Sequence, residues 1–144
     1  MTKKRREFMN WSQYSINMRS IIKQIKESGK EYDKIYTIKR GGLIPATHLA
    51  YQLDIMDIYT NTDDFYPDKK TLVVDDISDS GETLYYLRRF DTVCICYKEG
   101  TKVIPKFFAR KYPKDVWVVF PWDKDLSIMM RDRDRRDKGG KSRV

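Results

Sequence analysis

The sequence predicts an α/β protein, a mainly parallel sheet flanked by helices in one domain. Short apolar runs rich in β-branched residues, such as Leu72-Val73-Val74, have the length and composition of buried strands. Such runs alternate through the middle of the chain with segments of helical periodicity, the pattern of a parallel sheet covered on both faces. The chain has 144 residues, 40% of them hydrophobic, which suits a single domain with a real core.

The first element is a helix. Trp11, Tyr14, Met18, Ile21, Ile22 and Ile25 recur at helical spacing, with Ile16 off the stripe, so an amphipathic helix is predicted over residues 11–28, closed by Gly29. Ile35, Tyr36 and Ile38 suggest a strand over residues 34–39, broken by Arg40-Gly41-Gly42. A helix over residues 45–53 follows, with Pro45 tolerated in its first turn. A short strand at 55–59 leads to a polar loop at 61–70. Strand 71–75 and helix 82–89 come next, then strands at 93–97, 107–110 (weak) and 116–120. No internal repeat is present.

The net charge of +8 suggests a nucleic-acid partner until it is located. Lys3, Lys4, Arg5 and Arg6 carry half of it, and residues 131–144, with seven basic side chains against three acidic ones, carry the other half. Residues 7–130 are therefore neutral, and the body of the protein is not basic. Charge runs at chain ends more often keep a protein soluble than bind a polyanion, so nucleic acid is not the favoured partner. No apolar stretch reaches the length of a membrane span. The basic N-terminus has no apolar run behind it and does not read as a secretory signal. Cys94 and Cys96, two apart on one strand, are poorly placed to bridge each other; reduced thiols and a cytoplasmic location are expected.

The most informative stretch is residues 71–84. A buried strand ends in two adjacent acids, Asp75 and Asp76, and passes through Ser78, Asp79, Ser80 and Gly81 into a helix beginning near Glu82 and Thr83. In open α/β sheets ligands bind at the carboxyl ends of strands. A helix N-terminus there suits a phosphate, whereas adjacent carboxylates suit a sugar diol or Mg²⁺. A phosphorylated ribose satisfies both halves. Arg40-Gly41-Gly42 likewise ends a strand and precedes a helix, and such glycines let backbone N–H groups come close to a phosphate.

Residues 71–83 resemble the signature of the type I phosphoribosyltransferases, which bind 5-phosphoribosyl-1-pyrophosphate (PRPP). The pattern is four mostly apolar residues, two acids, two variable residues, Asp, Thr or Ser, Gly, any residue, then Thr or Ser. Thr71 occupies the permissive first position, and Ser80 stands where Thr is commoner. The order of motifs over most of the chain is similar to that of the purine branch, closest to the bacterial xanthine-guanine and hypoxanthine enzymes. The resemblance implies a type I phosphoribosyltransferase-like domain over residues 1–130; the charge distribution marks residues 1–8 as a basic arm and predicts a disordered basic tail at 131–144.

It also implies residue roles. Lys39, Arg40, Gly41 and Gly42 would hold pyrophosphate, in a loop that in the family often contains an unusual peptide bond. Asp75 and Asp76 would hold the ribose hydroxyls, and Ser78, Asp79, Ser80, Gly81, Glu82 and Thr83 would complete the PRPP site. Lys98 would donate to the purine O6, Trp117 would stack on the base, and backbone at Val118 would meet its 2-position. Asp79 would act as the catalytic proton acceptor. Mg²⁺ is the implied cofactor, with Asp75, Asp76 and Asp123 as its candidate ligands. PRPP and a purine base are the implied substrates, and a homo-oligomer, dimer or tetramer, is the implied assembly. His48 reads as structural. Two alternatives stand beside this reading: a regulatory protein of the same fold that binds PRPP or a nucleotide and nucleic acid, and transfer to another base. The family's long mobile loop is replaced here by residues 60–70, where Phe65, Tyr66, Lys69 and Lys70 are candidates for a short lid.

Overall fold

A computed structural model describes residues 5–124. The tail at 131–144 and the first four residues of the basic arm lie outside the described residues. The elements in order are β1 (Arg5–Phe8), α1 (Trp11–Ser28), β2 (Lys34–Thr37), α2 (Leu43–Leu53), β3 (Asp57–Thr60), β4 (Thr71–Ser78), α3 (Glu82–Tyr85), β5 (Asp91–Lys98), β6 (Arg110–Tyr112) and β7 (Val116–Val119). Five strands form one parallel sheet in the order β3-β2-β4-β5-β6, and β1 pairs with β7 in a separate parallel ribbon.

α1 forms where the periodicity places it. Asn10 caps it: Gln13 N–H donates to Asn10 Oδ1 at 2.8 Å and Asn10 N–H donates to Gln13 Oε1 at 2.9 Å, so each residue satisfies an N–H of the other. Gly29 ends the helix in the left-handed conformation. Tyr14, Met18, Ile21 and Ile25 are buried, while Ile16 faces solvent. They join Ala46 and Leu49 of α2 and Leu72, Val74, Val93 and Ile95 of the sheet in the main core. On the opposite sheet face Val73 and Cys94 pack with Leu84, Leu87 and Val103 in a smaller cluster. The alternation of Leu72, Val73 and Val74 between the clusters is the period-2 geometry of a strand buried on both faces.

Several boundaries differ from expectation, each for a local reason. β4 runs on through both acids to Ser78, because Asp75, Ile77 and Ser78 stay in register with Cys94, Cys96 and Tyr97. α3 stops at Tyr85 rather than residue 89. Beyond it Leu87, Arg88 and Phe90 donate to carbonyls three residues back, and the Arg88 guanidinium donates to Tyr85 O at 2.7 Å. β3 begins at Asp57 rather than residue 55, since Ile55 N–H is used to close α2 on Ala50 O. The strand expected at 107–110 lies further on: Phe107 makes one isolated bridge to Val93, and β6 starts at Arg110 and runs to Tyr112. Residues 5–8, expected in a basic arm, are a strand whose side chains are exposed and whose backbone pairs with β7.

Candidate active site

The carboxyl ends of β2, β4 and β5 open on one crevice, and β7 of the separate ribbon borders its far side. At the end of β2 the chain turns through residues 39–42 into α2. The Lys39–Arg40 peptide bond is cis. Gly42 N–H donates to Ile38 O and Leu43 N–H to Arg40 O, each at 3.0 Å, while Lys39 N–H donates to Asn61 Oδ1 at 2.9 Å. The glycines are there for contact rather than for a left-handed backbone. A Cβ on Gly41 would lie 2.0 Å from Asp76 Oδ2, and one on Gly42 would lie 2.4 Å from Thr37 Oγ1. The turn therefore rests directly on the second acid of β4. Lys39 and Arg40 are exposed.

Asp75 and Asp76 are partly buried. Each carboxylate accepts the next backbone N–H: Asp76 N–H donates to Asp75 Oδ1 and Ile77 N–H to Asp76 Oδ1, both at 2.8 Å. Burial, with the neighbouring Asp76 charge, pushes the Asp75 carboxyl up to about 8. Burial likewise raises Asp76, and the charge of Asp123 adds to this. Two acids so close favour sharing a proton until a cation or a donor pair replaces it.

After β4 the chain passes through Asp79 and Ser80 to Gly81, at φ 81°. Here glycine is required twice over. Its conformation is left-handed, and a Cβ would lie 2.5 Å from Thr101 Oγ1 and 2.8 Å from Lys102 N. Residues 101–103 form the seat of this turn: Lys102 N–H donates to Ser80 O at 2.9 Å, and Ser78 Oγ donates to Val103 O at 2.7 Å. Ser78, expected among the PRPP-binding residues, is buried with its hydroxyl committed to this seat, so it braces the turn from below. Glu82 pairs with Lys102 Nζ at 3.3 Å, which offsets an acid beside an expected phosphate site. Ser80, Glu82 and Thr83 are exposed.

β5 ends in Lys98, which is 2% exposed. Its ammonium pairs with Asp79 Oδ1 at 3.2 Å, and Asp79 itself is half exposed. A cavity of about 160 Å³ lies over this pair, lined by Asp76, Ile77, Asp79, Lys98, Trp117, Val118, Phe120 and Asp123. The structure thus brings together Asp76, Asp79, Lys98, Trp117, Val118 and Asp123, which are scattered through the sequence. Among the described residues β7 pairs on one edge, with β1, so its other edge carries backbone groups outside any described ladder. Asp123 also closes a turn, accepting Phe120 N–H at 2.9 Å. His48 Nδ1 lies 3.2 Å from the Tyr14 hydroxyl, within hydrogen-bond distance. A larger cavity, about 310 Å³, is lined by Lys30, Tyr32, Asp33 and Lys70 at the amino ends of the strands, remote from these groups.

Sequence reasoning missed Asn61, Thr101 and Phe120. Asn61 and Thr101 are polar loop residues without periodicity. Phe120 read as the end of a strand rather than as part of a cavity wall.

A parallel sheet with two glycine-tight turns, paired acids and a crevice at the strand ends makes an α/β protein suited to a phosphorylated sugar. No protein-family model matches the chain. It is 26% identical over 145 residues to the xanthine-guanine phosphoribosyltransferase of Nitratidesulfovibrio vulgaris strain Hildenborough, covering 85% of this chain and 87% of that one. It is 29% identical over 144 residues to the xanthine-guanine phosphoribosyltransferase of Idiomarina loihiensis, covering 83% and 88% respectively. Its fold superposes on the xanthine-guanine-hypoxanthine phosphoribosyltransferase of Helicobacter pylori with a TM-score of 0.75 at 20% identity, over 89% of this chain and 99% of the other. The chain is therefore similar in sequence, over most of its length, to xanthine-guanine phosphoribosyltransferases, and its fold is that of a purine phosphoribosyltransferase.

Proposed function

We propose that the protein transfers the 5-phosphoribosyl group of PRPP to N9 of a 6-oxopurine, namely guanine, xanthine or hypoxanthine. The products are the nucleoside 5′-monophosphate and pyrophosphate. The observation that carries this reading is the buried Lys98 ammonium held 3.2 Å from Asp79 in the wall of the cavity that Trp117 also lines. A purine with an oxo group at position 6 presents that acceptor beside N7, so one edge of the base meets a donor-only lysine and a carboxylate at once. Adenine would set an amino group against the buried ammonium, which costs more than a lost contact.

In this reading Lys39, Arg40, Gly41 and Gly42 hold the pyrophosphate of PRPP. Asp75 and Asp76 accept from the ribose hydroxyls, and the turn formed by Asp79, Ser80, Gly81, Glu82 and Thr83 holds the 5′-phosphate on its seat at residues 101–103. Trp117 stacks on the base and Val118 backbone meets its 2-position. The C1–O bond to pyrophosphate breaks as the C1–N9 bond forms, and Asp79 takes the proton that the base must lose. Catalysis is then mainly positioning and electrostatic stabilisation of a cationic sugar.

The donor set fits a divalent cation that arrives with its substrate. Among the described residues no group of three or more His, Cys, Asp or Glu side chains is placed to hold a metal. Asp76 and Asp123 nevertheless line one cavity, with Asp75 adjacent to Asp76 in sequence. Mg²⁺ binds commonly through one or two carboxylates plus phosphates and water, which suits Asp75, Asp76 and Asp123. When bound, it supplies charge neutralisation for the departing pyrophosphate.

The test is direct. The protein is incubated with Mg²⁺, PRPP and guanine, xanthine, hypoxanthine, adenine or uracil in turn, and pyrophosphate release is followed. Release with 6-oxopurines is expected. Release with none of the bases sinks the enzyme reading, and release with adenine but not guanine sinks the role of Lys98.

A further inference from the structure

The expected place for a lid is the segment between β3 and β4, and the structure lays that segment against the sheet. The Phe65 ring stacks on Tyr59, with centroids 4.0 Å apart and planes within 6°, and Tyr66 meets Phe90 edge-on at 5.5 Å. A tight turn precedes these rings: Thr60 N–H donates to Asp63 Oδ2 at 2.7 Å, and Asp63 N–H donates to Thr60 O at 3.0 Å. At the head of this anchored segment sits Asn61. Its N–H donates to Thr37 O at the end of β2, and its Oδ1 accepts Lys39 N–H at 2.9 Å.

The turn at residues 39–42 has two successive glycines and few ties of its own. Its remaining backbone bonds, from Gly42 to Ile38, from Leu43 to Arg40 and from Ala46 to Gly42, are internal to the turn and its flanks. Among the described residues, Asn61 supplies the one side-chain hydrogen bond from another strand connection to this turn. Gly-Gly is conformationally free in isolation, so outside contacts decide where its N–H groups point: Gly41 packs on Asp76, Gly42 on Thr37 and Val74, and Asn61 ties down Lys39 N–H. Phe65 and Tyr59 in turn fix where Asn61 sits.

We propose that Asn61 is a positioning residue for pyrophosphate, and that residues 61–70 act as a fixed strut for the turn at 39–42 rather than as a closing lid. The inference rests on the reading of that turn as the pyrophosphate site. Asn61 is exposed and its loss opens no cavity, so Asn61→Ala folds normally, with an unchanged thermal melting curve.

Losing one hydrogen bond raises KM for PRPP, and for pyrophosphate in the reverse reaction, by about 3- to 10-fold, with KM for the base unchanged. Phe65→Ala, which frees the strut from Tyr59, moves the same two constants in the same direction. Binding of pyrophosphate with Mg²⁺, measured by calorimetry on wild type and Asn61→Ala, tests the proposal without turnover. Weaker binding to the variant supports it even if no base is a substrate. Equal affinity overturns it while leaving the transferase reading intact, and no binding to either protein overturns both. A lid predicts a different pattern, with Phe65→Ala lowering kcat, speeding base-free hydrolysis of PRPP and leaving pyrophosphate affinity unchanged. That pattern also overturns the proposal.

Discussion

Replacing Lys98 with Met tests the base half of the site with little cost to the fold. The Lys98 side chain is 3% exposed and its only ion-pair partner among the described residues is Asp79, whose side chain is 52% exposed. Removing one partner of a fully buried pair strands the other charge, but Asp79 can hydrate, so the stranding penalty is small here. Met has a similar length and suits a buried site, and Lys98→Met is expected to match or slightly exceed wild type in thermal stability. Activity is another matter. A hydrogen bond from a charged donor contributes about 1.5–3 kcal/mol, so kcat/KM for guanine, xanthine and hypoxanthine should fall by about 10- to 150-fold. KM for PRPP should change far less, because the Lys98 side chain reaches the 79–83 turn only through Asp79, while the turn at residues 39–42 and the backbone seat at residues 101–103 do not depend on it. The penalty against adenine should shrink in the same variant, because no buried donor then opposes its amino group. Initial rates of pyrophosphate release with each base give all three quantities. If Lys98→Met keeps its kcat/KM for 6-oxopurines within about twofold of wild type, the charged hydrogen bond to O6 is not there.

Some of this molecule could be read from the chain alone, and the reasons differ from element to element. α1 was legible because six apolar side chains keep one period over five turns of helix and a glycine stops it. The strand–turn–helix at residues 71–83 was legible because nearly every position in it is constrained: apolar residues by burial in both clusters, the acids by the crevice, Gly81 by its left-handed backbone and by Thr101 beneath it. β1 was invisible for the opposite reason. Arg5–Phe8 buries no side chain and is held through its backbone to β7, so no hydrophobic pattern betrays it. Yet, among the described residues, β1 is the one strand partner of the strand that carries Trp117 and Val118. Proximity of Lys98 to Asp79 was equally hidden, since nineteen positions separate them and only the register of β4 on β5 brings the two strand ends together. Asn61 and Thr101 act through local hydrogen bonds to backbone or to a neighbouring hydroxyl, and such bonds leave no periodic trace in a sequence.

Three further outcomes are expected. Asp79→Asn should lower kcat by about 100-fold or more through loss of a general base, while the PRPP dissociation constant changes little; unchanged turnover removes Asp79 from the chemistry. Gly81→Ala places a Cβ at φ 81°, 2.5 Å from Thr101 Oγ1 and 2.8 Å from two backbone nitrogens, so both thermal stability and PRPP affinity should drop, and a variant with native melting and native KM would refute the seat at residues 101–103. The last concerns the acid pair. Burial and the Asp76 charge hold the Asp75 carboxyl at about 8, against an ordinary value of 3.8. The folded protein therefore retains a proton that the unfolded chain gives up above its own, lower value. This stabilisation is complete below about 4 and disappears as pH rises through about 8, so the melting temperature should fall between about pH 5 and pH 9. Asp75→Asn, uncharged at every pH, should flatten that slope. Magnesium binding must displace the same proton, so the affinity for Mg²⁺ with pyrophosphate should rise with pH over the window in which wild type loses stability. A wild-type melting temperature that climbs from pH 5 to pH 9 relative to Asp75→Asn would mean that the pair is ionised in the free protein, and that its charge is balanced by a group other than a shared proton.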